Sequence, residues 1–165
     1  MSITASLSEL LDYSDHERRK WQAWFAQDPS RMQLRLQGAG RFPAASDLLD
    51  HIFLVERRHL ARLEGGTPPE RTGIPPGDVE ELFEYAHLVR ADFRCYVDST
   101  DDETASRPKT FTLPSGAYEM PPRQLALHIV LHEVRHFAQL ALAARLAGHE
   151  PPGEHDLFFY VKTGL

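Results

Sequence analysis

The sequence predicts an all-α protein: a four-helix bundle with a short β-hairpin before the last helix, in a single domain over residues 1–165. Three observations predict it. Apolar residues recur at three- and four-residue steps in four long stretches. Segments rich in proline and glycine separate those stretches. The length of 165 residues and hydrophobic fraction of 42% suit one domain with a real core.

The first helix is expected from about Leu7 to Phe25, because Leu10, Tyr13, Ser14, Glu17, Trp21 and Trp24 fall on one face. Asp28-Pro29 ends it, and Gln37-Gly38-Ala39-Gly40 continues an irregular connector. A second helix starts near Ser46 or Asp47, either of which suits an N-cap. It carries Leu48, His51, Ile52, Val55, His59 and Leu63 on one side and stops at Gly65-Gly66. Thr67 to Gly77 holds four prolines and reads as a loop. Asp78 caps a third helix with Val79, Leu82, Phe83, Ala86, Arg90, Phe93 and Val97 in a stripe. Ser99 to Arg107 is polar and expected to be mobile. Lys109–Leu113 and Ala117–Met120 flank Pro114-Ser115-Gly116 as a hairpin. Pro121-Pro122 opens the last helix, where a missing N–H is harmless, and Gly148 closes it. The tail from His149 reads as loop with one short turn of structure. Connector lengths allow either up-down or crossover topology.

Composition excludes several function classes. Lys and Arg number 18 against 24 Asp and Glu, a net charge of −6 and the wrong sign for a broadly basic nucleic-acid binder. No apolar run approaches the ~18 residues of a membrane span, and the start MSITASLSEL lacks the basic-then-apolar order of a secretory signal. A single cysteine, Cys95, excludes an internal disulfide, so a cytoplasmic setting is expected. Nine histidines stand out.

Three of them form a column on the last helix. Leu127, Val130, Leu131, Val134, Phe137, Ala138, Ala141 and Leu142 cover most of that helix's circumference, so it is expected to be buried among its neighbours. His128, His132 and His136 nevertheless recur at i, i+4 and i+8, with Gln139 on the same side. Imidazoles in an apolar setting need partners, and one divalent metal ion is the simplest partner for several neutral rings that converge. Residues at i and i+4 lie about 6 Å apart and can share an ion; i and i+8 are separated by about 12 Å and cannot. The pair is therefore His128/His132 or His132/His136. A third ligand must come from another helix, with His51 the leading candidate and His59 the second.

His132-Glu133-Val134-Arg135-His136 also matches H-E-x-x-H, the zinc-protease motif with a glutamate general base. The downstream context departs from it. An extended motif would want glycine at Gln139 and histidine at Leu142, and no sheet edge is available to hold a peptide. Glu133 projects about 100° around the helix from His132, where a surface salt bridge is its plainer role.

Several segments together resemble the DinB-like (YfiT-like) family of metal-binding four-helix bundles. Leu48-Leu-Asp-His-Ile52 is similar to that family's helix-2 segment with its one metal histidine. His132-Glu-Val-Arg-His-Phe-Ala-Gln139 is similar to its H-x-x-x-H-x-x-Q signature on the last helix. The hairpin, Arg145-Leu-Ala-Gly148, Pro151-Pro152 and Leu157-Phe-Phe-Tyr160 resemble its remaining segments, so the likeness covers nearly the whole chain. The resemblance implies His51, His132 and His136 as metal ligands, with His128 one turn away and Gln139 supporting the site. It implies a divalent metal-dependent enzyme, first an S-transferase using a low-molecular-weight thiol, alternatively a hydrolase using metal-bound water.

Three imidazoles leave a coordination position open, as catalytic sites require, whereas a structural zinc is closed by four ligands. His128 or Glu17 could supply the fourth and close the shell, so the alternative is a non-enzymatic bundle whose metal is structural or which binds a partner through exposed helix faces. Zinc, nickel, iron and manganese all accept imidazole. Glu17, between Tyr13 and Trp21 on the inner face, is the candidate catalytic base, with a rim carboxylate paired to an arginine as the plainer alternative. Arg90 on the inner stripe of the third helix could clamp a substrate carboxylate or lay its stem over the core. Partners are expected to be a small-molecule substrate, with no nucleic acid and no membrane; a homodimer is compatible with the helix faces.

Overall fold

The computed structural model describes residues 6–36 and 42–160. The expected connector Gln37-Gly38-Ala39-Gly40 lies outside them. Four long helices appear where the periodicity placed them: α1 (Leu7–Gln27), α2 (Ala45–Glu64), α3 (Val79–Ser99) and α5 (Pro122–Leu146). Between the last two lie a short helix, α4 (Asp102–Ser106), and an antiparallel hairpin, β1 (Lys109–Leu113) with β2 (Gly116–Met120), in the register Lys109↔Met120 to Leu113↔Gly116.

The caps explain the boundaries. Ser6 Oγ accepts the Glu9 backbone N–H at 3.1 Å while the Glu9 carboxylate accepts the Ser6 N–H at 2.8 Å, a reciprocal box at the start of α1. Asp78 accepts the Glu81 N–H at 2.9 Å and starts α3 as expected. The start of α2 differs from the expectation. Neither Ser46 nor Asp47 is the N-cap; Ala44 is, and Asp47 reaches back to accept the Ala44 N–H at 2.9 Å. Asp47 therefore performs the third-position half of a capping box. Gly65 takes the left-handed conformation (φ 79°) that ends α2. The polar stretch from Ser99 to Arg107 contains α4, because Asp101 accepts the Thr104 N–H at 2.7 Å and caps that turn.

Cross-helix contacts fix the topology that connector lengths left open. Asp15 and Asp12 meet Arg90 and Arg94, so α1 and α3 are antiparallel. Phe53 and Glu56 meet Phe83 and Arg90, so α2 and α3 are parallel. Ser14 and Trp21 meet Glu133 and Phe137, so α1 and α5 are parallel. The bundle runs up, down, down, up. The α2–α3 connection must then return the length of a helix, about 30 Å for 20 residues. It does so as an extended strap along α2. Arg58 donates to the Pro69 carbonyl at 2.8 Å and to that of Glu70, and further along the Thr72 hydroxyl donates to Asp50.

Two apolar clusters fill the interior. One holds Trp21, Trp24, Phe25, Phe53, Phe83 and Phe137; the other holds Leu11, Leu60, Phe93, Phe111, Leu125 and Ile129. Between them lies a buried polar layer with one member from each long helix: Arg18, Glu56, Arg90 and Glu133. Arg18 Nε donates to Glu133 at 2.9 Å and its Nη2 to Glu56 at 2.6 Å. Arg90 donates to Glu56 at 2.6 Å, to Glu133 at 2.6 Å and to Asp15 at 2.5 Å. Two cations face two anions, so the layer is neutral before Asp15 and Arg94 extend it outward. Burial alone would raise the Glu56 carboxyl, but the Arg18 and Arg90 guanidinium groups hold it down at about 2. No helix among the described residues is long and apolar enough to cross a membrane.

Candidate metal centre

The centre is built on the α2–α5 interface. Both helices bury apolar stripes against each other, and their antiparallel course brings one α2 position between two α5 positions a turn apart. There His51 Nε2 lies 3.1 Å from His132 Nε2, and His136 Nε2 lies 3.1 Å from the same atom. The three candidate ligand atoms all fall within 4.8 Å of one another. For two nitrogens 3.1 Å apart, an ion at the usual ~2.05 Å from each would subtend about 100°, an ordinary coordination angle. His51, His132 and His136 can therefore hold a metal ion. Among the described residues no carboxylate or fourth histidine joins this group.

The electrostatics suit a cation. His132 is 8% exposed, and burial followed by its neighbours His136 and His51 pushes its pKa down to about 2. Its ring is neutral at any working pH, and neutral imidazole is the ligating form. His136 Nδ1 lies 2.6 Å from Gln139 Oε1. A carbonyl oxygen only accepts, so Nδ1 carries the proton and Nε2 keeps its lone pair toward His132. Gln139, one turn along α5, thus sets the tautomer of a candidate ligand.

His128 does not join the three. Its ring packs 5.7 Å from His132 and 5.3 Å from the buried His59, centre to centre. His59 is held neutral by burial and by His128, its pKa lowered to about 4. Glu17 is not brought to the cluster either. It sits in a pocket with Val130, Val134, Phe137 and Ala138, the side of α5 roughly opposite His132 and His136. There it accepts from Lys20 Nζ at 2.7 Å and pairs with His155 Nδ1 at 2.5 Å. Burial would raise its carboxyl, but those hydrogen bonds outweigh it and hold the pKa below the ordinary value. It is neither a base at the centre nor a rim residue paired with an arginine; its role is to hold the C-terminal tail.

Arg90 neither snorkels nor faces a cavity, because its guanidinium is engaged in the buried layer. Glu133 is 1% exposed rather than on the surface, and both its oxygens accept from Arg18, Arg90 and Ser14. It points away from the histidines, so the H-E-x-x-H match lacks its base. Trp21, Trp24 and Phe93 are core residues, and Cys95 is exposed.

Two features had no signal in apolar periodicity alone. Phe42 packs against the His51 ring, tilted by 36° with centres 4.5 Å apart, and lies 6.1 Å from the ring of His136. A cavity of about 860 Å³ under the α2–α3 strap has His51 in its wall, together with Phe42, Leu54, Ile74, Leu82 and Arg71. The proline content announced a loop, but its return course along α2 depends on the topology.

A family model described as the DinB family matches residues 1–161. The chain belongs to the DinB family. No curated protein matches it. DinB-family membership and a three-histidine cluster that could hold a metal ion between α2 and α5 are compatible with a metal-binding protein.

Proposed function

We propose that this DinB-family protein is a divalent-metal-dependent enzyme whose reaction is the transfer of a low-molecular-weight thiol to a small electrophile. The observation that carries the reading is the convergence of three imidazoles, with no fourth candidate ligand among the described residues. A closed structural zinc site would need that fourth ligand. A divalent ion held there would favour the thiolate form of a thiol, the nucleophilic form.

The chain's own residues have separable tasks in this reading. His51, His132 and His136 offer unprotonated nitrogens, and Gln139 keeps the His136 proton on the far side of its ring. Phe42 packs against one side of the His51 ring. The neighbouring cavity, whose wall sets Phe42, Leu54, Ile74 and Leu82 beside Asp47 and Arg71, has the volume of an ordinary small-molecule site. Arg58 and Asp50 hold the strap that roofs it.

The test is to load the protein with cobalt(II) and record its visible spectrum during titration with small thiols. A saturable spectral change, with thiol-dependent conjugation of a small electrophile that His132→Ala abolishes, is the expected result. A spectrum indifferent to thiols, or ester hydrolysis without any thiol, would count against thiol transfer.

A further inference from the structure

The antiparallel pairing of α2 and α5 that brings His51 to His132 repeats one layer further along. Eight residues on from His51, His59 meets His128, which lies four residues before His132. The ring centres of this second pair are 5.3 Å apart, against 5.0 Å for His51–His132 and 5.2 Å for His51–His136. An ion sits ~2.05 Å from an imidazole nitrogen and so about 3.2 Å from the ring centre. Two such rings at a tetrahedral angle have centres about 5.2 Å apart. The second pair lies at a ring-centre spacing that a shared ion allows, a little wider than the 4.4 Å of His132–His136.

His59 supplies an independent observation. It is a buried side chain, and its Nδ1 finds no hydrogen-bond partner among the described residues. A buried polar nitrogen left unpaired is costly, so its retention inside the protein asks for a reason. His128 is exposed, so its ring can turn to meet an incoming ion.

We propose that His59 and His128 form a second metal position, distinct from the three-histidine centre and adjoining it through the His128–His132 contact. Its donors are two imidazoles, with solvent completing the shell. That donor set selects zinc, copper(II) or nickel(II) over magnesium or calcium, which want oxygen. Arg58 and Arg62 next to His59, and Arg135 near His128, oppose a cation there. Their guanidinium charge, and the smaller number of ligands, set its affinity below that of the centre on His51, His132 and His136.

Metal-free full-length protein titrated with zinc or copper(II) by calorimetry, and against a chromophoric chelator, tests this. The wild type should take two equivalents, the second at least tenfold weaker than the first. His128→Ala, at an exposed position, should remove only the weaker equivalent, and His59→Gln should do the same. His51→Ala should remove the tighter one and leave the weaker, which separates the two sites: a tight equivalent that survives His51→Ala contradicts the three-histidine centre and not this one. A wild type that takes one equivalent, or a weak equivalent that survives both His128→Ala and His59→Gln, overturns the proposal.

Discussion

His136 shows how one hydrogen bond assigns a role to a nitrogen. Its Nδ1 donates to Gln139 Oε1 at 2.6 Å, which leaves Nε2 as an acceptor 3.1 Å from His132 Nε2. Without Gln139 the ring gains a second tautomer and freedom to rotate, and neither directs a lone pair at the cluster. Gln139→Ala should therefore weaken metal binding about 10- to 100-fold. Because Gln139 is exposed, the thermal midpoint of the metal-free protein should barely move. Chelator competition measures the first and a melting curve the second; unchanged affinity would deny Gln139 this role. At this scale the sequence was informative about the histidines and poor about the carboxylates. Spacing pairs His132 with either His128 or His136 and puts His51 ahead of His59 for the third place, because a helix repeats every turn; the family resemblance chooses His136. From sequence, Glu17 reads as a catalytic base or rim carboxylate and Glu133 as a surface residue, and both readings fail because the groups that satisfy them, His155 and Arg18 with Arg90, are remote in sequence.

At the scale of elements, α5 is held at mid-height by charge as well as by packing. Glu133 is bound to α1 through Arg18 and Ser14 and to α3 through Arg90, one residue from His132. A buried pair broken on one side leaves the other charge without compensation, which costs about 3–5 kcal/mol. Glu133→Gln should destabilise the metal-free fold by roughly that amount, read as a shift in the urea midpoint. Double replacement of Glu133 and Arg90 by apolar residues of similar size should recover much of the loss. If Glu133→Gln costs less than about 1 kcal/mol, the layer does not hold the helices as described. The clue to this layer was present in the sequence. Arg90 and Glu133 both fall on faces that are otherwise apolar, but opposite signs at matching heights become visible only when the helices are aligned.

For the molecule as a whole, the four helices, the hairpin and the proline-rich loop were legible because each rests on local chemistry: apolar spacing, turn residues and caps. Topology was not, because it depends on contacts such as Asp15–Arg90 and Phe53–Phe83 between distant segments. The cavity roof, a product of that topology, was hidden for the same reason.

The bundle also buries rings that refuse protons. His59 and His132 have pKa values lowered to about 4 and about 2, chiefly by burial. Below the ordinary histidine value of about 6.5, the unfolded chain takes up protons at these positions and the folded chain does not. Stability should therefore fall as pH drops from 7.5 to 5.5, by roughly 1–2 kcal/mol for each ring. Melting curves of metal-free protein across that range check it. A midpoint that holds steady or rises on acidification would contradict the burial of neutral imidazoles.

The most direct measurement is elemental analysis of the extensively dialysed protein beside His132→Ala, with circular dichroism of both. The account predicts close to one equivalent of a divalent transition metal in the wild type and essentially none in the variant, at nearly equal helicity. A variant that keeps its metal, or a folded wild type that takes up none when supplied with zinc, nickel, iron or manganese, would contradict it.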